Sequence, residues 1–243
     1  MKNAFTMIEL VFVIVIVGIL SFVISSSFER NTLREAADQV VSHIRYTQHL
    51  AMVDDKFVPN PEMSKESTQA RKSKHAQEWF KSRWQIFFAN TEGSGNQWSY
   101  MIFADSPNYT GTPDVSEHAK NPLNVNQYLS GGYSAGNIDK NSSLATPSMN
   151  LGSKYGIVDV DFIDGCNIAT TRQRISFDYL GRPFYGIPHM QTNPYSDVTN
   201  HKLLKATCHI ELCLKSPCTA ALNNEKITIA IEPESGYTYV IKN

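Results

Sequence analysis

Lys2-Asn3-Ala4-Phe5-Thr6-Met7-Ile8-Glu9-Leu10 opens a chain of 243 residues and leads straight into an apolar run. From Leu10 to Phe28 there is no charged residue, and Leu10 to Leu20 is apolar throughout apart from Gly18. Phe22, Val23 and Ile24 extend the run past Ser21. Counted from Phe5 to Ile24, about 20 residues at about 1.5 Å each nearly cross a hydrocarbon core of roughly 30 Å. Glu9 stands at the start of this span. A charge costs roughly 2.5–3.5 kcal/mol at mid-bilayer and less near an edge, so such a carboxylate calls for a specific partner.

Three readings compete for the segment. A secretory signal peptide would be cut near Ser25–Ser27, where small residues stand in an A-x-A-like spacing behind the thin positive region of Lys2. A plain membrane anchor is the second. The third rests on the quoted stretch, which resembles the cleavage and methylation motif of type IV pilins and type II secretion pseudopilins. In that family a short basic leader ends in a small residue. Phe and Thr follow, then a Glu at the fifth mature position and an apolar helix.

The resemblance implies cleavage between Ala4 and Phe5 by a prepilin peptidase and N-methylation of Phe5. It also implies assembly into a filament, in which Glu9 pairs with the Phe5 amine of a neighbouring subunit. An unpaired charge in a low-dielectric bundle is costly, so the pair would enforce axial register. Two positions depart from the usual pattern. Ala4 stands where Gly is common, and Ser26 stands where many members carry a helix-kinking Pro. Serines bend a helix only mildly, by bonding back to the i−4 carbonyl.

Outward from the apolar run, Leu33, Ala36, Ala37, Val40, Val41, Ile44 and Ala51 recur at helical spacing as one stripe, with Arg30, Arg34, Glu35, Asp38 and Arg45 largely off it. No Gly or Pro interrupts Ser21 to Phe57, and Pro59 and Pro61 end the pattern. The spacing predicts one continuous helix from about Phe5 to Asp54, about 75 Å long. Its first half, 5–28, would lie in lipid or a filament core. Its second half, 29–54, would lie against a globular head at 55–243.

In the head, residues 59–78 are polar and read as a loop or a short surface helix. Trp79–Ala89 and Gln97–Ala104 have strand character, with a hairpin at Gly93-Ser94-Gly95-Asn96. Residues 105–156, rich in Gly, Asn, Ser and Pro, read as long loops. Strands return at Gly156–Ile163, Arg174–Tyr179, Thr207–Leu214, Lys226–Ile231 and Thr238–Ile241. The expected fold class is α+β: a pilin-like lollipop with a long N-terminal helix, membrane-spanning in its first half, packed on a mostly antiparallel β head. Ile175-Ser176-Phe177-Asp178-Tyr179-Leu180-Gly181-Arg182-Pro183 resembles the strand and turn of H-type minor pseudopilins and FimT-like minor pilins. Ile227–Ile231, followed by Ser235-Gly236-Tyr237, resembles their closing hairpin. In that group the stem also runs straight into a helix-to-strand crossover, as Arg45–Ala51 does here.

The four cysteines, Cys166, Cys208, Cys213 and Cys218, all fall in the head. They allow three pairings. Cys213 and Cys218 flank the turn Lys215-Ser216-Pro217 and could close a small loop, leaving Cys166 with Cys208. A 208–213 bridge is disfavoured, because five residues along a strand separate them by about 16 Å and put them on opposite faces. Zinc with His209 is a rival, although the C-x4-C-x4-C spacing is unusual for it. Asp159, Asp161 and Asp164 before Gly165 hint at calcium, against a plain solvated strand face. No metal and no cofactor is expected. Arg71, Lys72, Lys74, His75, Lys81 and Arg83, interleaved with Trp79 and Trp84, form a candidate nucleic-acid patch, through phosphate contact and base stacking. A solvated polar surface is the simpler reading.

Net charge is −1, with 42% hydrophobic and 19% charged residues and a mean hydropathy of −0.29. This excludes a polytopic membrane protein, a collagen-like fibre and a strongly basic nucleic-acid binder. No nucleophile elbow, P-loop, HExxH or dinucleotide fingerprint occurs, and no catalytic set is found. The expected function is a non-enzymatic minor pilin or pseudopilin of a type II secretion pseudopilus or type IV pilus. The implied partners are other pilins in the filament, the prepilin peptidase, an inner-membrane assembly platform and membrane lipid before assembly. The implied placement is single-pass in a bacterial inner membrane, head in the periplasm. Two alternatives stand beside it. One is a pilus-tip subunit that binds DNA for uptake. The other is a secreted soluble β protein whose mature chain starts near Phe28.

Overall fold

A computed structural model of the chain describes residues 6–27, 31–54, 56–106, 108–133, 138–167, 173–194 and 201–241. The α-helices among them are α1 (Met7–Ser27), α2 (Thr32–Val53), α3 (Gln69–Glu78) and α4 (Leu151–Tyr155). The strands are β1 (Trp84–Thr91), β2 (Gln97–Ala104), β3 (Lys120–Asn121), β4 (Asn124–Tyr128), β5 (Asp159–Asp164), β6 (Arg174–Phe177), β7 (Pro183–Gly186), β8 (His201–Leu203), β9 (Cys208–Cys213), β10 (Lys226–Ile231) and β11 (Thr238–Val240). The chain divides into two compact units, Met1–Thr32 and Leu33–Asn243.

The long N-terminal helix expected from the sequence is not what forms. Asn31 lies outside helical geometry, and α1 and α2 are separate elements. The physical reason is legible at Asn31-Thr32. Short polar side chains of this kind compete for backbone hydrogen bonds and favour helix ends over helix interiors. The membrane-spanning first half is corrected as well. Among the described residues, no helix is long and apolar enough to cross a membrane. Neither the lollipop fold class nor the single-pass inner-membrane placement holds: the described residues form a mixed fold of four α-helices with extensive antiparallel sheet.

In the second unit, Leu33, Ala36, Ala37, Val40, Val41, Ile44, Thr47 and Ala51 of α2 are buried, so the apolar stripe does face a core. The strands that meet it form two sheets, ordered β2-β1-β6-β7-β8 and β11-β10-β9-β5, while β3 and β4 pair separately. All of these pairings are antiparallel. Alternation supplies the core from both sheets. Ile86, Phe88, Tyr100, Ile102, Ile175 and Phe177 come from one, and Val160, Phe162, Ile210, Leu212, Ile229 and Ile231 from the other.

Residues 105–156 were expected to be long loops. They instead carry β3, β4 and α4 and lie along the outer edge of β2. Ile102 N–H donates to the Leu129 carbonyl at 2.9 Å, and Ala119 N–H donates to the Ile102 carbonyl at 2.9 Å. Buried Leu129, Ile138, Met149 and Leu151 anchor this cover. They are too widely spaced to show strand or helix periodicity, yet together they protect a sheet edge from pairing with another chain.

Polar contacts fix α2 on the sheets. Gln39 Nε2 donates to the Tyr100 hydroxyl at 2.6 Å and to the Ser148 carbonyl at 2.8 Å. With that oxygen accepting from Gln39, the Tyr100 hydroxyl donates to His43 Nδ1 at 2.6 Å. Tyr155 donates to Gln39 Oε1 at 2.7 Å. Further along the helix, Arg45 donates to the Thr238 carbonyl, and Gln48 donates to those of Gly181 and Ser235. Tyr100 has no exposed surface. Tyr100→Phe should lower stability by about 1–3 kcal/mol, because a partly buried acceptor on His43 is then left without its donor. Urea unfolding checks this; an unchanged midpoint would remove the network from the account.

Candidate functional site

Glu9 acquires a local partner at the start of α1. Its Oε2 accepts from the Thr6 backbone N–H at 2.8 Å and from the Thr6 hydroxyl at 2.7 Å, while Glu9 N–H donates back to Thr6 Oγ1 at 3.4 Å. This is a reciprocal capping box, which satisfies donors that the first turn leaves open. The spacing Thr6-x-x-Glu9 announces it, and the sequence reading missed that signal. The carboxylate therefore needs no distant partner to be accommodated here. Ala4 and Phe5, the expected cleavage and methylation residues, lie outside the described residues.

Along α1 the large apolar side chains from Met7 to Leu20 are all exposed, from 42% at Ile16 to 86% at Met7. Nothing lies within 4 Å of the position a Cβ would take at Gly18. Glycine inside a helix costs roughly 1 kcal/mol relative to alanine. The usual return is close approach of another backbone.

The cysteines form two bridges, Cys166–Cys208 and Cys213–Cys218, which point to an oxidising compartment. Glu211, Cys213 and Cys218 bring ligand-type atoms within 4.8 Å of one another, yet both sulfurs are committed to a disulfide. His209 Nδ1 pairs with Asp164 Oδ2 at 2.5 Å. Asp159 and Asp161 each bond the next backbone N–H, and Asp159 also caps Cys218 N–H at 3.1 Å. These three aspartates do not converge on one point. Burial, with Asp159 and Glu211 close by, raises the pKa of Asp161.

Three cations of the basic cluster share one helix, while Lys81 and Arg83 are drawn into other contacts. Arg71, Lys72 and Lys74 stand on α3, whose start is capped by Thr68 Oγ1 accepting from Arg71 N–H at 3.3 Å. Lys74 donates to the Asn108 carbonyl at 2.9 Å and lies over the Tyr109 ring. Lys81 pairs with Glu78 at 2.6 Å, and Ser64 Oγ contacts His75 Nδ1 at 3.0 Å. Arg83 is buried, with its guanidinium 3.8 Å from the centre of the Phe184 ring. Arg71 is exposed and Lys72 partly so. Lys74 is exposed as well, so all three cations of α3 keep an outward placement.

The outer side of the five-stranded sheet holds a polar layer that the sequence did not announce. Arg174 Nη1 donates to Gln85 Oε1 and to the Gly111 carbonyl, both at 3.0 Å. Ser176 Oγ lies 3.3 Å from His201 Nε2. Both residues of that serine–histidine contact are fully buried, so no substrate reaches it from solvent. Nearby, Asp105 accepts from the N–H groups of Thr110 and Gly111, and Glu117 from those of Ser106 and Asp114. Burial pushes the Glu117 carboxyl up to about 7, and the nearby acids Asp105 and Asp114 add to this. No family model, no curated protein and no solved structure matches the chain.

Proposed function

We propose that the chain is a non-enzymatic subunit of a filament of the type IV pilin and type II secretion pseudopilin kind, and that α1 is the element through which copies assemble. The observation that carries the reading is the exposure of α1. Its large apolar side chains from Met7 to Leu20 stand exposed, and a contiguous apolar surface of this kind marks an interaction site. The prepilin-like stretch Lys2–Leu10 gives the class of partner, further subunits of the same kind, with a prepilin peptidase acting between Ala4 and Phe5. Gly18 fits close helix–helix approach inside such a bundle.

Two measurements test the proposal. Mass spectrometry of the mature amino terminus should find N-methyl-Phe5; a start near Phe28 would defeat it. Filament incorporation should then be compared for Glu9→Val and Glu9→Gln. Glutamine at this position preserves the capping box and removes the charge. If Glu9 pairs with a neighbour's amine, both variants should be processed normally and incorporate poorly, by about tenfold or more. Normal incorporation of Glu9→Gln would reduce Glu9 to a helix cap.

A further inference from the structure

Asn108-Tyr109-Thr110 and Asn141-Ser142-Ser143 both have the Asn-x-Ser/Thr form, with a residue other than proline in the middle. The form is short and arises by chance, so the fold has to decide between them. A glycan transferase must seat the asparagine amide and the hydroxyl two residues on in one site. That calls for an exposed tripeptide on the surface of a protein outside the reducing cytosol.

We propose that Asn141 accepts an N-linked glycan from a polyprenyl-diphosphate-linked oligosaccharide. Asp139, Asn141 and Ser143 are exposed, whereas Lys140 and Ser142 are half-buried. The turn is held from within. Lys140 N–H donates to the Gly93 carbonyl at 2.8 Å, Ser142 N–H to the Asp139 carbonyl at 2.9 Å and Ala145 N–H to the Ser142 carbonyl at 3.0 Å. Ile138 before the turn and Ala145 after it are buried. Asp139 Oδ1 accepts from the Asn141 N–H at 2.8 Å, an Asx turn that fixes the backbone just before the acceptor. Anchors on both sides thus leave alternate residues of 139–143 at the surface, the acceptor asparagine and its partner serine among them. The Asp139 carboxylate, two residues before the acceptor, adds a charge that a cation of the transferase can pair with.

The other tripeptide has a different shape. Tyr109 is buried and has a φ of +54°, in the left-handed region that non-glycine residues rarely adopt. The Thr110 hydroxyl donates to the Thr112 carbonyl at 2.8 Å, and the Asn108 carbonyl accepts from Lys74 at 2.9 Å. Its hydroxyl is committed and its middle residue is tucked inward. An enzyme would have to unfold this segment to use it, so Asn108 serves as an internal control.

The two disulfides of the same unit point to an oxidising compartment, the setting in which lipid-linked oligosaccharides are transferred. In the step, the side-chain nitrogen of Asn141 forms a bond to the anomeric carbon of the sugar. The bond from that carbon to the diphosphate oxygen breaks, and polyprenyl diphosphate leaves with the electron pair. One amide proton passes to a base of the transferase, and nothing is oxidised or reduced. The acceptor lies wholly within the second unit, so the inference is independent of α1 and of filament assembly.

The test is incubation of the folded full-length chain with a bacterial oligosaccharyltransferase and a polyprenyl-diphosphate-linked heptasaccharide, read by intact-mass and glycopeptide mass spectrometry. One heptasaccharide should be added, at Asn141, while Asn108 stays unmodified. Asn141→Gln and Ser143→Ala should each abolish the addition and Ser143→Thr should keep it, all with an unchanged melting temperature. Asp139→Asn, which preserves the Asx turn and removes the charge, should slow the addition about tenfold. Three results would overturn the proposal: no added mass on the parent chain, an addition that survives Asn141→Gln, or modification of Asn108 as fast as that of Asn141.

Discussion

Replacing Cys166 and Cys208 together by serine is expected to lower the stability of the second unit by about 4 kcal/mol, against about 2 kcal/mol for the same change at Cys213 and Cys218. The contrast follows from chain topology. The first bridge closes a loop of sequence separation 42, the second one of separation 5, and the entropy withdrawn from the unfolded chain grows with loop length. Native context adds to the difference. Cys208 opens β9 opposite Asp164, the last residue of β5, so this bridge fastens the edge strand of the four-stranded sheet to its neighbour. Both sulfurs are essentially buried, at 2% and 0% exposure, and two serine hydroxyls there would need partners. Urea unfolding of both double variants and the parent, read by tryptophan fluorescence, checks the ordering. Equal losses would show that loop closure is not the main contribution of these bridges.

Legibility in the sequence followed how local the determining physics was. The α2 stripe from Leu33 to Ala51 and the strands Gln97–Ala104 and Lys226–Ile231 were readable, because each buries one face against the same core and so repeats at its own period. The break between α1 and α2 was written in Asn31-Thr32, but a search for Gly and Pro alone passes over it. The Thr6–Glu9 box was equally local and was hidden by the sharper idea that Glu9 must wait for another subunit. Other features were not local at all. Residues 105–156 look like loops because their buried side chains meet β2 one at a time. The layer of Gln85, Arg174, Ser176 and His201 resembles an exposed strand face until 105–118 and 187–191 are folded over it.

The second large effect expected is on the pH dependence of stability, where buried histidines and a buried glutamate act in opposite directions. Burial lowers His43 and His118 from 6.5 to about 4. His118 shows why. Its Nδ1–H donates to the Asp114 carbonyl at 2.9 Å, its Nε2 finds no partner, and its ring packs near Phe103 and Tyr128. A second proton would sit in an apolar pocket. Below pH 6.5 the unfolded chain takes up protons that the folded chain refuses, so each histidine lowers stability as pH falls from 6.5 toward 4. The full effect is about 3 kcal/mol per group. Glu117, raised from 4.5 to about 7, has the opposite sign. Between these values the folded state holds a proton that the unfolded state has released, and stability falls as pH rises. The two histidines outweigh the single glutamate, leaving a net loss of about 3 kcal/mol on going from pH 6.5 to pH 4. His118→Asn, whose amide can still donate to Asp114, should remove one histidine's share and flatten the profile. Glu117→Gln should steepen it by removing the opposing group. Urea midpoints measured at pH 4, 5, 6, 7 and 8 distinguish the two, and parallel profiles for parent and both variants would mean that these groups titrate alike in the folded and unfolded chain.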